Sequence, residues 1–272
     1  MIDKLKELTK NNLIHDFSLG ALFAYHKLED LIEEEKASIG DNFLVYETSK
    51  KVTLILYHSP QYVSDFIKFK RPDKKLEILS ASPIISLGKY KKRTEECFYQ
   101  LSRLTNKSYH QYRRPISIFE ERPDLNIWLA DIDQVHPDSL MELHNEWVKY
   151  KLSQPKTHRI SFPTARYRRT LISYPIKTFS KAILIDGRLY GFIIFSVEGQ
   201  IAFELSFCTL YWKKEFWKVN GLNQYIFSYC LIQLKKQGVK FINSGYALNK
   251  NLKTFKTCAQ KADSVYRYSY EV

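Results

Sequence analysis

The first 120 residues show two kinds of hydrophobic pattern. Apolar residues recur every three or four positions in some segments, which is typical of amphipathic helices, and cluster in short runs in others, which is typical of strands. A polar turn, Ser49-Lys50-Lys51, separates two of these runs. The pattern predicts helices at 2–13, 21–34, 60–69 and 93–105 and strands at 43–48, 52–58 and 76–79.

The segment 121–124, which reads ERPD, is turn-like, and we expect a domain boundary near it. Beyond it, Asp186-Gly187 joins two β-rich runs and is the strongest hairpin signal in the chain. Gly221 opens an amphipathic helix, and Gly238 follows that helix where a left-handed cap residue is common. The predicted order is a strand at 126–132, a helix at 137–150 capped by Asp138 or Ser139, a helix at 163–171, strands at 179–186, 189–197 and 201–210, a helix at 222–237, a strand at 240–243, a short helix at 252–256 and a strand at 264–272.

Three stretches match motifs of a known family, in the right order along the chain. They are 17–20 with 22–25, which read FSLG and LFAY; 109–116 with Phe119, which read YHQYRRPI and F; and 241–243, which read FIN, followed by Leu252, Lys253 and Lys256. With these motifs the chain resembles tandem-GNAT proteins similar to the soluble C-terminal domain of phosphatidylglycerol lysyltransferases. It departs from that family at Gly245 and Ala247, where acidic residues are usual after the Asn.

The resemblance implies an α+β fold of two GNAT-like modules with mixed, mainly antiparallel sheets flanked by helices. A degenerate N-terminal module is expected at 1–120 and a catalytic C-terminal module at 121–272. The order of elements in the second half, from the hairpin to the last strand, is also that of the GNAT acetyltransferase fold. The implied activity is acyl or aminoacyl transfer, and family members joined to lipid synthases take an amino acid from aminoacyl-tRNA.

The composition excludes a disordered or low-complexity chain, because 44% of the residues are hydrophobic and 15% are aromatic. The net charge of +13 is concentrated in two segments, 147–185 and 216–262, which contain no Asp or Glu. A concentrated cationic surface predicts a phosphate-rich partner, RNA or DNA with tRNA favoured. Solvated faces of a lysine-rich protein are the alternative explanation of the same excess.

The cysteines lie far apart and have no CxxC spacing, so they are predicted to be reduced core residues, and no metal site is expected. The N-terminal segment is charged and lacks the apolar core of a signal peptide. The longest apolar stretches are interrupted by charges. The sequence therefore predicts a cytoplasmic protein with no integral membrane segment.

A binding site for the substrate that donates the acyl or aminoacyl group (the donor) is predicted at the start of the helix that Gly221 opens. Backbone N–H groups at a helix N-terminus bind phosphates, which such donors carry. GNAT enzymes usually have Gln or Arg, two residues, Gly, one residue, then Gly or Ala there; this chain reads KVNGLN at 218–223. The last position of that pattern departs from the usual small residue. The predicted donor-binding residues are Lys218, Val219, Gly221, Asn223 and Lys256.

Lys256 stands where many acetyl-CoA enzymes have a Tyr that protonates the leaving thiolate. A lysine there could hold a phosphate as a point charge, which favours aminoacyl-tRNA as the donor, or it could be an ordinary surface lysine. Both acyl-CoA (acetyl-CoA, for example) and aminoacyl-tRNA stay open as donors. No tightly bound cofactor is expected.

Glu204 is the predicted general base, because it lies in a strand with apolar neighbours on both sides. Desolvation of a carboxylate in such a setting suits it to take a proton from an attacking ammonium. Asn243 and Asn249 are predicted to orient the acceptor. The alternative for Glu204 is a structural ion pair with a nearby lysine.

A second cluster, Tyr109, Arg113 and Arg114, is predicted to bind nucleic acid through bidentate phosphate contacts and ring stacking. Arg166, Arg168 and Arg169 are predicted to add phosphate contacts from the first acid-free segment. The alternative is an inter-domain linker whose arginines pair with acidic neighbours. Those neighbours are Glu120, Glu121 and Asp124.

Two functions are consistent with these residues. The first is a GNAT-type transferase that moves an acyl or aminoacyl group to an amine or hydroxyl acceptor, which could itself be carried on nucleic acid. The second is a degenerate GNAT protein that binds RNA or DNA without catalysis. Glu204 and the order of elements favour the first, whereas the missing acidic residues after Asn243 favour the second.

Overall fold

The fold is known from a computed structural model, which describes residues 2–10, 12–14, 17–26, 28–57, 69, 71–103, 117, 119, 121–153, 178–212, 221–246 and 263–271. The described helices are α1 (Ile2–Thr9), α2 (Leu19–His26), α3 (Leu28–Glu33), α4 (Pro137–Leu152) and α5 (Leu222–Lys236). Short 3-10 helices lie at Ile85–Leu87, Leu101–Arg103 and Ile132–Gln134. The helices predicted at 60–69, 163–171 and 252–256 fall wholly or almost wholly outside the described residues.

Eleven described strands form one mixed sheet flanked by helices. They are β1 (Ala37–Ile39), β2 (Phe43–Glu47), β3 (Lys51–Leu56), β4 (Lys75–Ser80), β5 (Lys92–Gln100), β6 (Ile127–Ala130), β7 (Thr178–Ile185), β8 (Arg188–Glu198), β9 (Ile201–Thr209), β10 (Phe241–Tyr246) and β11 (Asp263–Glu271). Their spatial order is β1-β2-β3-β4-β11-β5-β10-β9-β8-β7-β6. The predicted α+β class, with a mixed and mainly antiparallel sheet, is confirmed.

The sheet has an internal symmetry centred on the antiparallel pair β11 and β5. Outside this pair lie β4 on one side and β10 on the other, each antiparallel to its inner neighbour. The next strands, β3 and β9, run parallel to β4 and β10 respectively. Antiparallel strands, β2 and β8, then follow. The topology is therefore that of two similar halves, as expected for tandem modules.

The two halves exchange strands at this centre. β5 comes before residue 120 in the chain but pairs with both β10 and β11, and β11 lies between β4 and β5. The proposed division into 1–120 and 121–272 stays a prediction about the chain. In space, each half of the sheet contains a strand from the other part of the sequence.

The helix predicted at 93–105 is wrong, because most of this segment forms β5, followed by the turn Leu101–Arg103. Thr94 and the run from Glu96 to Tyr99 are buried, since the strand lies at the centre of the sheet and is covered on both faces. A strand with both faces covered loses the polar–apolar alternation that identifies a half-exposed strand.

The predicted hairpin at Asp186-Gly187 is confirmed. Both residues have positive φ values, +50° and +76°, as a two-residue type I′ turn requires. The predicted helix opened by Gly221 is also confirmed as α5, and Gly238 follows it with φ of +85°. The cap predicted for α4 is wrong: His136 is the N-cap, and its Nδ1 accepts a hydrogen bond of 3.3 Å from the Asp138 N–H.

The FSLG motif docks α2 onto the second half of the sheet. Ser18 Oγ accepts a 3.0 Å hydrogen bond from the Ala21 N–H, which caps the helix. Gly20 donates its N–H to Glu198 Oε1 at 3.0 Å, and Ser196 Oγ donates to the same oxygen at 3.2 Å. A buried carboxylate on β8 therefore binds the N-terminus of a helix from the first half.

A large hydrophobic core surrounds the second half of the sheet, with β7, β8 and β9 at its centre and α4 and α5 packed against it. Two smaller cores cover the first half, one on the side of α1 to α3 and one on the opposite face. The described cysteines Cys97, Cys208 and Cys230 are buried, as predicted. None of the described helices is long and apolar enough to cross a membrane.

Candidate functional site

The two parallel strand pairs of the sheet differ in how far they stay together. β3 and β4 pair over their whole length, from Lys51 opposite Lys75 to Leu56 opposite Ser80. β9 and β10 pair only from Ile201–Phe203 to Phe241–Asn243, although β9 continues to residue 209 and β10 to residue 246. Within the described residues the second pair therefore stops pairing after three residues, and we refer to the space between the unpaired carboxyl ends of β9 and β10 as the cleft.

An extra residue in β9 lies where this cleft begins. Ile194 pairs with Ser206 and Phe195 pairs with Glu204, so that Leu205 is the additional residue of a β-bulge. Bulges redirect side chains and interrupt the regular hydrogen bonds of a strand. In the described part of the chain, the backbone of 204–209 has no strand partner on the side facing β10.

The two faces of β9 contact different helices. Cys208 Sγ lies 3.6 Å from His144 Nδ1 of α4, whereas Phe207 stacks on Phe227 of α5 with ring centroids 6.1 Å apart. Adjacent residues of a strand point to opposite faces, so α4 and α5 pack on opposite faces of the sheet. Burial raises the pKa of the Cys208 thiol to about 12 and lowers the pKa of His144. This pair is therefore a neutral contact of the core.

Glu204 is half-buried on the α5 face of β9. Its pairing with Phe195 places it there, and its charge acts on the Cys230 thiol in the middle of α5, although burial is the main reason that the pKa of Cys230 is raised. Cys230 is about 12 Å along the helix axis from the first residue of α5, at 1.5 Å per residue. Glu204 thus lies at the base of the cleft and nearer to the middle of the helix than to its start.

The start of α5 lies at the open end of β9. Gly221 is the N-cap and has no side chain to satisfy the first N–H groups of the helix. The side chain of Asn223 accepts a hydrogen bond from Thr209 Oγ1, at the last residue of β9. The side chain that departs from the usual GNAT pattern is therefore held against the strand.

Asn243 is fully buried, and its hydrogen bonds join three parts of the chain. Its Nδ2 donates to the Leu13 carbonyl at 2.6 Å and to Glu96 Oε2 at 2.8 Å, while its Oδ1 accepts from the Gly245 N–H at 2.6 Å. Gly245 has φ of +66° within a bulge of β10, which explains a glycine where the family usually has an acidic residue. Asn243 could reach an acceptor only by leaving these partners.

Glu204 lies where the pairing of β9 and β10 ends, Gly221 and Asn223 lie at the start of α5 next to the last residue of β9, and Asn243 is buried in the core. The other predicted site residues lie outside the described residues. They are Asn249, Lys218, Val219, Lys256, Tyr109, Arg113, Arg114, Arg166, Arg168 and Arg169.

The described cations of the two acid-free segments do not converge on one face. Lys149 and Lys151 lie at the end of α4, and Lys235 and Lys236 lie at the end of α5, on the opposite face of the sheet. Most of the other cations belong to 154–177, 213–220 and 247–262, which lie outside the described residues. A single cationic face built from both segments stays a prediction.

An aromatic cluster next to the end of β9 was not predicted from the sequence. Tyr150 of α4 stacks on Trp212 with ring centroids 4.0 Å apart, and Lys151 Nζ donates to Tyr211 Oη at 3.1 Å. Burial lowers the pKa of Lys151. The abundance of Trp and Tyr just after β9 is the signal in the sequence that could have identified it.

No family model and no curated protein matches this sequence. Solved structures do match over nearly the whole chain. A conserved protein of unknown function from Bacteroides thetaiotaomicron has a TM-score of 0.66 and 16% identity, covering 98% of this chain and 95% of that one. The C-terminal domain of a protein named as a lysylphosphatidylglycerol synthetase, from Agrobacterium fabrum, has a TM-score of 0.62 and 13% identity, covering 98% and 90%.

FemX is similar too, with a TM-score of 0.63 and 8% identity, and the match covers 100% of this chain and 96% of FemX. At these identities the likeness concerns the fold. The resemblance drawn from the three sequence motifs is confirmed at that level.

Proposed function

We propose that the protein is an acyl- or aminoacyltransferase whose donor lies in the cleft between β9 and β10. The observation that carries the proposal is the contrast between the two parallel strand pairs. β3 and β4 are paired over six residue pairs, whereas the pairing of β9 and β10 ends after three. Only the second half thus offers an opening between parallel strands in the described part of the sheet. The fold shared with the proteins named above is consistent with this chemistry.

The cleft can polarise the carbonyl group of the donor. Backbone N–H groups of 204–209 that face β10 lie next to the bulge at Leu205 and are fixed by the sheet. Preorganised donors of this kind stabilise the negative charge that develops on the carbonyl oxygen, which is usually the largest contribution to acyl transfer.

Glu204 accepts the proton of the attacking group in this proposal. The acceptor ammonium loses one proton to the Glu204 carboxylate, and the neutral amine attacks the acyl carbon. A C–N bond forms, and the C–S bond of a thioester or the C–O bond of an aminoacyl ester breaks. The leaving thiolate or ribose oxygen takes the second proton of the amine nitrogen. A hydroxyl acceptor would give its single proton to Glu204 in the same way, and the carboxylate would then return it to the leaving group.

The start of α5 is suited to the phosphates of the donor. Its first N–H groups have no capping side chain, and the positive end of the helix dipole attracts anions. Lys218 and Lys256 stay part of this proposal as phosphate contacts. Acyl-CoA and aminoacyl-tRNA both carry phosphates, and the assay described next distinguishes them.

The test is transfer from radiolabelled acetyl-CoA and radiolabelled lysyl-tRNA, each offered separately to phosphatidylglycerol vesicles and to a mixture of amino acids and polyamines. Glu204→Gln should lower the rate about 10²–10⁴-fold, as removal of a general base typically does. Glu142→Gln, on the exposed surface of α4, is the matched control and should leave the rate unchanged. A Glu204→Gln rate equal to the parent rate would exclude Glu204 as the base. Transfer from neither donor would favour the non-catalytic function.

A further inference from the structure

A lysine-lined groove lies in the first half of the molecule, away from the cleft residues. It has a volume of about 260 Å³ and is lined by charged side chains from four strands and from the residue before β5. The charged lining residues are Lys51, Lys75, Lys91, Lys92, Glu77 and Glu271. With four cations and two anions, the groove carries a net positive charge.

Strand register places this lining on one face of the sheet. Lys92 pairs with Ser269, Glu271 pairs with Glu77, and Lys51 pairs with Lys75. Directly paired residues share a face, and so do residues two apart along a strand. The groove is therefore a continuous feature across four adjacent strands, β3, β4, β11 and β5.

The groove lies at the same end of the sheet as the opening between β9 and β10. β5 runs antiparallel to β10, so the beginning of β5 is next to the end of β10. Tyr246, the last residue of β10, connects the two: its ring is 47% exposed, and Lys92 Nζ lies 5.9 Å from the ring centroid. The pairing of Phe98 with Asn243 puts the groove on the face of α2 and α4, opposite to α5. A ligand would therefore reach it from the cleft by passing over Tyr246 between the ends of the strands.

The lysines of the groove can exchange their present partners for a ligand. Glu271 holds Lys75 at 2.8 Å and also contacts Lys91, and Lys51 contacts Glu77. Lys75 and Lys91 remain 73% and 65% exposed. Exposed ion pairs of this kind contribute little to stability, so phosphate oxygens can replace the carboxylates.

We propose that this groove binds the phosphodiester backbone of a single-stranded nucleic acid, with Tyr246 as a stacking surface for a base. Stacked aromatic rings beside a cationic channel are the common means of binding single strands. Glu77 and Glu271 lie opposite each other on the two middle strands of the lining, and a concave surface fits a single strand better than it fits a flat anionic membrane. As an extension of the cleft, this surface rests on the proposed function, because the strand would be attached to the group that reacts there.

The test is fluorescence anisotropy of a labelled single-stranded RNA of about ten nucleotides, without any acyl donor, over a series of salt concentrations. Neutralising three lysines together, Lys75→Gln, Lys91→Gln and Lys92→Gln, should reduce the slope of log affinity against log salt by about 2, at about 0.7 per phosphate contact. The control carries the same charge change at the opposite end of the sheet. It combines Lys235→Gln, Lys236→Gln and Lys240→Gln, and its slope of log affinity against log salt should stay close to that of the parent protein.

A third variant tests the groove in the opposite direction. Glu271→Gln releases Lys75 and Lys91 and should tighten RNA binding about fivefold, the effect of one charge at contact distance in water. Loss of folding cannot produce a gain in affinity, so this result supports the groove even if the triple variant is unstable. Tyr246→Ala should weaken binding without changing the salt slope.

Equal losses in the groove and control variants would overturn the proposal, and so would an unchanged affinity in Glu271→Gln. Binding to phosphatidylglycerol vesicles without binding to RNA would assign the groove to a membrane surface instead. The outcome is independent of catalysis, because RNA binding is measured without donor. If the groove variants do not change RNA binding as expected, the Glu204→Gln assay still tests the proposed function. If Glu204→Gln does not lower the transfer rate, the RNA measurement still tests the groove.

Discussion

Replacement of Gly20 by Ala should destabilise the protein by wedging α2 away from β8. A methyl group at this position would lie 2.3 Å from Ser196 Oγ, 2.6 Å from Ser196 Cβ and 3.0 Å from Leu205 Cδ2. Distances this short require the helix to move. That movement would also lengthen the 3.0 Å hydrogen bond from the Gly20 N–H to Glu198.

The expected loss is about 1–3 kcal/mol, the usual cost of adding a methyl group to a packed core. A small opposing term exists, since Ala is favoured over Gly within a helix by up to about 1 kcal/mol. The backbone of Gly20 has no positive φ, so backbone strain adds nothing to the cost of the alanine. For a chain of this size, each 1 kcal/mol lowers the melting temperature by about 2–4 °C.

Urea denaturation of four proteins measures this effect: the parent, Gly20→Ala, Ser196→Gly and the double variant. Ser196→Gly removes the two nearest atoms that the new methyl group would meet, so the double variant should be more stable than the sum of the single effects predicts. Additive effects, or a Gly20→Ala protein as stable as the parent, would refute the close approach of α2 and β8 as the reason for glycine.

Two further predictions concern buried and exposed polar groups. Asn243→Ala should cost about 2–4 kcal/mol in denaturant unfolding, because it removes the amide that donates to the buried Glu96 carboxylate and to the Leu13 carbonyl; a loss below about 1 kcal/mol would contradict this. The second prediction concerns Glu271, whose pKa is lowered to about 2 by Lys75 and Lys91. These ion pairs should contribute fully to folding stability above about pH 4.5, and the contribution should disappear as the pH falls from there through 2. The melting temperatures of the parent and Glu271→Gln should differ slightly at pH 6 and converge near pH 2, whereas a constant difference would contradict the assignment.

Local signals in the sequence predicted the local parts of the fold. The turn at Asp186-Gly187 and the helix between Gly221 and Gly238 depend on residues that are neighbours in the chain, and the structure has both. β5 was missed because its strand character comes from partners far away in the sequence, β10 and β11. The N-cap of α4 was misplaced because a histidine side chain performs a role that Asp or Ser usually has.

The candidate site could be predicted only in its parts. Glu204 and Gly221 were identified from their immediate neighbours in the sequence. The cleft itself depends on where the pairing of β9 and β10 stops, and no local pattern in the sequence indicates that point. The groove was even less predictable from the sequence, because its lysines come from three segments between residues 51 and 92 and lie next to a glutamate at residue 271.

The position of β11 between β4 and β5 has a consequence for how the chain is made. About 160 residues separate the end of β5 from the start of β11, so a ribosome that adds 5–20 residues per second needs roughly 10–30 s to deliver the missing strand. Throughout that interval β4 and β5 each present an unpaired edge, and such edges can pair with other chains. A nascent chain of this protein therefore lacks the partner of both edges until β11 has been translated.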